Sequence, residues 1–330
     1  MAVPFLLDPE AHVRFLVAVP LLIIAELVVN QRMRLVVRQF LERNLIPDGG
    51  RTRFDAAIAS ALRLRNSVLA EVLLIALTYG VFVLIVWRNY VVLDTTTWYV
   101  ATTGTGSKLS IAGMWHGYVS LPIFQFLLLR WYFRVCIWTR FLWQVSRIDL
   151  SLVPTHPDRV GGLGFLSNAA SAFTPLAVAH GAVVSGWIAN RIFHLGAALP
   201  KFKAEIAILV VFVQCLVFAP LCLFAAQLAR AKRAGLREYG ALAERYVRDF
   251  DGKWLRGGAP AGEPLVGSAD IQSLADLDTA FEIVQGVRLA PVTRSAILQL
   301  AAATLLPIAP LALTMMPLEE LLKRLFGIFV

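Results

Sequence analysis

The 330-residue chain reads as all-α: a polytopic membrane helix bundle of about six transmembrane helices, with interfacial and cytoplasmic amphipathic helices. Three observations predict this. The sequence is 58% hydrophobic and only 16% charged, against roughly 25% charge in an average soluble domain. Its apolar residues gather into runs of about 20, enough at about 1.5 Å per residue to cross a hydrocarbon core of about 30 Å. Its basic residues crowd into alternate gaps between those runs. Inside lipid every backbone donor and acceptor must be paired within the chain, so the runs are helices. A barrel is disfavoured because stretches such as Ile206–Val213 are solidly apolar and lack the alternation of barrel strands.

Six spans make residues 1–330 a single integral-membrane domain: Val13–Gln31, Ser67–Trp87, Trp115–Trp138, Phe165–Ile188, Ala204–Leu228 and Ala296–Met316. The first is the weakest, since Pro20 and Glu26 interrupt it. It does not read as a signal peptide, because Asp8 and Glu10 precede it with only Arg14, and no small-residue cleavage pattern follows. Its basic followers, Arg32 through Arg65, number eight. Arg130 through Arg159 add five, and Arg230 through Arg294 add ten. These alternate segments hold 23 of the 31 Lys and Arg residues, which places them in the cytoplasm and both termini outside. The net charge of +9 follows from that bias and suits anionic lipid headgroups as partners. Nucleic acid needs no separate appeal, since no nucleic-acid-binding fold or aromatic-interleaved patch accompanies the charge.

The gaps carry their own patterns. Met33–Glu42 alternates Leu35, Val36, Phe40 and Leu41 with Arg34, Arg38 and Glu42, which predicts a basic amphipathic helix lying flat in the inner interface. Pro47 to Gly50 form a turn, and Phe54–Leu64 is expected to run on into span two. Segment 229–295 predicts two helices, Lys232–Trp254 and Ser268–Val287, joined by the Gly257–Gly262 linker. Ser268 caps the second helix and Pro291 stops it. About 65 residues are few for an independent core, so this piece is expected to pack on the bundle. Tyr90–Gly113, rich in Thr and Gly, suits a short extended hairpin. Leu318–Val330 pairs Glu319 and Glu320 with Lys323 and Arg324 at helical spacing. Cys136, Cys215 and Cys222 lie inside spans without metal or redox spacing and read as apolar packing. No metal or cofactor is implied.

The sharpest local pattern is Pro154-Thr155-His156-Pro157-Asp158-Arg159-Val160-Gly161-Gly162-Leu163-Gly164. Two prolines forbid a regular helix, and three glycines permit turns just before span four. His156, Asp158 and Arg159 are therefore held on a stiff segment at the cytoplasmic surface, either pairing locally or presented to a ligand. The glycines do not make a phosphate loop, because no Gly-Lys-Ser/Thr follows.

The run Ile148–Leu166, with Gly267–Leu277 and Pro317–Lys323, resembles a group of uncharacterised bacterial multipass inner-membrane proteins. The resemblance covers most of the chain. It implies a bacterial inner membrane and no particular activity.

Charges at membrane depth are costly, so each is a functional candidate. Glu26 and Glu71 each lie roughly 7–8 Å inside the inner end of their spans, and Arg130 and Arg134 share one face of span three. These four are expected to converge in the cytoplasmic leaflet, roofed by the His156–Arg159 turn. They would form either mutually neutralising pairs or a polar site for a proton, a small anion or a lipid headgroup. His180, deeper in span four, suits a packing hydrogen bond or a relay. Three activities follow as expectations: small-solute, ion or proton transport; scaffolding of a protein partner or second copy through the cytoplasmic helices; or a membrane-embedded enzyme acting on lipid. The last lacks any recognisable nucleophile or metal set.

Overall fold

The computed structural model describes residues 4–81, 98–103 and 106–315. The end of span two, the threonines Thr95–Thr97 and the C-terminal segment Leu318–Val330 lie outside the described residues. What is described is helical apart from one hairpin. Four helices are long and apolar enough to cross a membrane, or six if each of two bent pairs counts as one span.

Helix α1 runs from Pro9 to Glu42. Asp8 caps it, accepting from the Ala11 N–H at 3.1 Å. Pro20 contributes no N–H to the ladder, and the helix widens into a π turn over Val13–Ala18 just before it. At 34 residues α1 is about 51 Å long, far more than a hydrocarbon core. The helix expected over Met33–Glu42 is therefore not a separate element but the last turns of α1. Nothing breaks the helix there, and Val36 and Phe40 point into the bundle, one of the two directions open to them. Phe40 stands among Phe54, Phe165 and Phe224, with ring centroids 5.8, 5.0 and 6.4 Å away. That aromatic core, fed by four elements, is where the Arg43 end of α1 is closed off.

Helix α2, Arg51–Arg65, was expected to continue into span two. It ends at Asn66 instead, and α3, Val68–Val81, restarts after a 47° bend. Ser67 caps the restart, its hydroxyl accepting from Ala70 N at 3.3 Å. Strands β1 (Val100–Thr103) and β2 (Gly106–Leu109) pair antiparallel, Val100 opposite Leu109, within the segment predicted to be extended. Helix α4, Ile111–Val145, repeats the device of α1, with a π turn over His116–Ser120 ahead of Pro122. Helix α5, Phe165–Leu195, is the most enclosed of the four long candidate spans among the described residues and ends at left-handed Gly196. Gly181 on α5 admits the backbone of a later helix, since a Cβ there would strike the Thr304 carbonyl.

Helix α6, Leu199–Leu255, is 57 residues long, with a 3-10 stretch over Ala219–Phe224 around Pro220. The sequence divides it into a span and a separate helix from Lys232, but the turns are continuous. Helix α7, Ala269–Gln285, folds back along α6, with Ser268 accepting from Asp270 N at 3.1 Å. It stops at Gly286, short of Pro291. Among the described residues this helical hairpin meets the rest of the molecule at its base, where Gly235 packs between Pro154 and Val284, and Lys232 Nζ closes that base by donating to the Val287 carbonyl at 3.0 Å. Packing of the whole 229–295 segment on the bundle was expected; its outer half instead packs on itself, as where Phe281 lies over Gly240. Helix α8, Arg294–Leu305, is capped by Thr293 and bends 57° into a final helical stretch, Ala309–Met315. The three cysteines are free thiols on exposed helix faces.

Candidate functional site

Two groups of charged residues from the sequence are assembled in the structure, and they are not one site. The first joins α1, α3 and α4. Glu26 is ion-paired with Arg134, and its second oxygen lies 3.8 Å from Arg130 Nη1. Arg130 Nη2 lies 3.4 Å from Glu71 Oε1. Glu71 stands in the first turn of α3, where the helix dipole favours an acid. The Arg134 guanidinium lies over the Trp131 ring, 5.5 Å from its centroid. Two carboxylates and two guanidiniums thus form a neutral chain tying three helices together. Its side chains remain a fifth to a half exposed on the bare protein surface.

The second group is the Asp158 turn. Arg159, Gly161 and Gly162 adopt positive φ of 56, 64 and 99°, which curls the backbone around the Asp158 side chain. The carboxylate accepts from the N–H groups of Val160 at 2.9 Å, Gly162 at 3.1 Å and Gly164 at 2.8 Å. His156 Nδ1 lies 2.9 Å from it. Burial pushes the Asp158 carboxyl up, but the Val160, Gly164 and Gly162 donors and nearby His156 together outweigh that and hold it below the usual carboxylate range. Arg288 is spent on backbone carbonyls: it donates to Asp158 at 3.0 Å and to Val292 at 2.7 Å, and its own N–H donates to Arg159 at 2.8 Å. This is a closed lock in which Asp158 is the chain's own anion.

The turn does not roof the first cluster, which corrects the expected arrangement. Arg43, at the end of α1, donates to the Gly162 carbonyl at 3.3 Å. Arg43 follows Glu26 by 17 residues on one continuous helix, about 25 Å along its axis. Because α1 runs on beyond the apolar stretch, the turn is carried far from Glu26. His180 is also accounted for. Its Nδ1 lies 2.7 Å from the Leu176 carbonyl, which can only accept, so Nδ1 carries the hydrogen. Its Nε2 then accepts from the Tyr132 hydroxyl at 2.9 Å, pinning α5 to α4.

No protein family, curated protein or solved structure matches this chain.

The feature that the sequence did not expose is a groove of about 490 Å³ beside the Glu26 cluster, toward the Arg43 end of α1. Val29, Met33 and Val37 of α1, Ile58 and Leu62 of α2, and Trp131, Trp138 and Phe141 of α4 make it apolar. Arg34, Arg38 and Arg65 stand on its rim, and Arg134 at its inner end. Arg65 Nη1 donates to Asn30 at 3.0 Å across the mouth. Among the described residues, neither Arg34, Arg38 nor Arg65 has a carboxylate within 4 Å, whereas Arg134 is neutralised by Glu26. The signal was present in the spacing of Arg34 and Arg38, four apart on one face, but reading that face as interfacial hid the groove.

A polar cluster at the opposite end of α1 was also missed. Glu10 is ion-paired with Arg14 and accepts from Asn190 Nδ2 at 3.4 Å, and Trp98 Nε1 donates to Asp8 at 2.9 Å. The Glu10–Arg14 spacing of four was its only trace in the sequence. Among the described residues no group of His, Cys, Asp and Glu could hold a metal ion.

Proposed function

We propose that the chain is a multipass protein of a bacterial inner membrane that draws an anionic amphiphile from the cytoplasmic leaflet into the α1/α2/α4 groove. The carrying observation is the composition of that groove: an apolar channel of lipid-chain character, bounded by three guanidiniums without carboxylate partners. An acyl chain would lie against Trp131, Trp138 and Phe141, and an acidic headgroup would meet Arg34, Arg38 and Arg65. The Arg134–Glu26–Arg130–Glu71 chain is the neutral polar floor at the inner end. Its internal pairing argues against a small ion or proton as cargo, since each arginine already faces a carboxylate. Handling of an amphiphile fits both translocation and lipid chemistry.

The membrane placement rests on the alternating basic segments, which put α2, the Asp158 turn and the α6–α7 hairpin in the cytoplasm and both termini outside. A cytoplasm-active reporter fused after Val330 should stay inactive, and strong activity would reverse the topology.

Photoactivatable phosphatidic acid and phosphatidylcholine in nanodiscs test the groove. The acidic lipid should cross-link near Met33 and Trp138, and R34Q/R38Q should lower that yield about tenfold. Equal labelling by both lipids would overturn the reading.

One observation favours scaffolding as a second reading: the outer half of the α6–α7 hairpin leaves Leu242, Val247 and Ile271 exposed. Pull-down with the hairpin deleted would separate the two.

A further inference from the structure

A second groove lies on the other side of α2. It is about 540 Å³ and differs in chemistry from the first. Arg53, Ser60 and Arg63 come from one face of α2, at offsets of seven and three. Arg140, Gln144 and Arg147 come from one face of α4, at offsets of four and three. The helices are antiparallel here, since Gly50 packs on Ile148 while the Phe54 ring lies 6.0 Å from Phe141. Arg53 therefore falls at the Arg147 end and Arg63 at the Arg140 end. Each end holds two guanidiniums. The ends are separated by ten residues on α2 and seven on α4, about 15 and 10 Å along the helix axes.

These four cations are uncompensated. Among the described residues none is in an ion pair, and the one salt bridge within α2 joins Arg51 to Asp55 at 3.5 Å. Arg147 lies over the Trp143 ring, 5.4 Å from its centroid, which steadies the side chain and leaves its charge unmet. Four like charges along one short groove repel each other, and a polyanion bound between them would remove that repulsion.

We propose that this groove binds a ligand carrying at least two phosphate groups, one held by the guanidinium pair at each end. Arginine's planar fork matches phosphate oxygens two at a time, which a carboxylate-poor groove leaves available. Ser60 and Gln144, between the ends, offer neutral hydrogen bonds to whatever bridges the phosphates. The same chemistry occurs in a diphosphorylated lipid headgroup and in a soluble oligophosphate. It does not depend on the amphiphile reading of the first groove.

The test uses the full chain and two pairs of probes. Cardiolipin is compared with phosphatidylglycerol in phosphatidylcholine nanodiscs, by native mass spectrometry. Inorganic tripolyphosphate is compared with orthophosphate in solution, by calorimetry. In at least one pair the multiply phosphorylated probe should bind about tenfold tighter than its partner. R53Q/R147Q should abolish that preference, and R63Q/R140Q should do so independently from the other end. All four arginines are exposed, so both variants should remain folded. A preference for cardiolipin assigns the ligand to the bilayer, and one for tripolyphosphate assigns it to the cytosol. R34Q/R38Q should leave the preference intact, so the two grooves can fail separately. No preference in either pair, a preference that survives both double substitutions, or an equal loss in R237Q/R245Q on the hairpin would overturn the proposal.

Discussion

The Asp158 turn and the α1/α2/α4 groove are both rich in charge, and they dispose of it in opposite ways. In the turn the Asp158 carboxylate is consumed by the chain itself, and the Arg159 side chain is left exposed, with no ion pair among the described residues. Asp158 is wrapped by three backbone donors, and Arg288 is spent on carbonyls. In the groove Arg34 and Arg38 meet no carboxylate among the described residues. The motif that is denser in the sequence is therefore a folding device, and the plainer stretch of helix carries the unmet charge. Density of conspicuous residues marks where the backbone needed help. Unmet charge marks where a partner is missing.

The largest effect expected from this contrast is at Asp158. Replacing it with Ala strands three donors, each worth about 1–3 kcal/mol when buried and unsatisfied, so a loss on the order of 3 kcal/mol should appear in denaturant unfolding of the detergent-solubilised protein. A loss below about 1 kcal/mol would mean that the turn is no lock. The acid limb sharpens the point. The folded carboxyl titrates below its unfolded value of about 3.9, so its contribution is complete above that pH and disappears as pH falls through the lower folded value. Asp158→Asn should remove that acid-labile part.

Next comes the inner cluster, which lies between the two extremes. Glu26→Ala leaves Arg134 without its partner. The cost should be about 2–3 kcal/mol, below the 3–5 typical of fully buried pairs because these side chains keep some exposure. Glu26→Ala/Arg134→Ala should recover part of it, and a double-mutant cycle reads the coupling. Strictly additive losses would show that the pair is incidental.

R34Q/R38Q inverts the Asp158 outcome. Stability should move by no more than about 0.5 kcal/mol, while acidic-lipid cross-linking falls. Destabilisation with unchanged lipid binding would erase the distinction between the two regions.

The smallest effect is at the hairpin tip. Lys253 bridges Asp270 at 2.8 Å and Glu263 at 2.6 Å, and Trp254 Nε1 reaches Asp270 at 3.0 Å. Hydrogen bonds to Asp270 and then Glu263 raise the Lys253 pKa, and the bond from Lys253 lowers that of Asp270. Both groups are open to solvent, so Lys253→Ala should speed amide exchange around Ser268–Leu274 in a salt-sensitive way and leave Val284–Val287 unchanged.

Much of this was legible. Hydropathy located the candidate spans, and equal depths of Glu26, Glu71, Arg130 and Arg134 pointed to the cluster that the structure assembles. The errors share a cause. Hydropathy reports where a helix leaves apolar surroundings, not where its hydrogen-bond ladder stops. Between Gln31 and Glu42 no proline or glycine interrupts the ladder, so α1 continues. Ser67 is a capping residue, and it marks the break that the apolar pattern concealed. Which helices are neighbours was not in the pattern at all. The groove depends on α2 folding back along α4, a tertiary choice driven by Phe40, Phe54 and Phe141 meeting in one core.

The continuity of α6 has a mechanical consequence. From Pro220 to Leu255 it forms a stiff arm of roughly 50 Å, and a tilt of about 5° near the 3-10 stretch would swing its end by about 4–5 Å. Gly235, about 22 Å along that arm, rests on Pro154 at the edge of the Asp158 lock, so the lock braces the arm part-way along its length. Small movements among the helices packed near Pro220 would reach the tip of the hairpin magnified, without any loop having to transmit them.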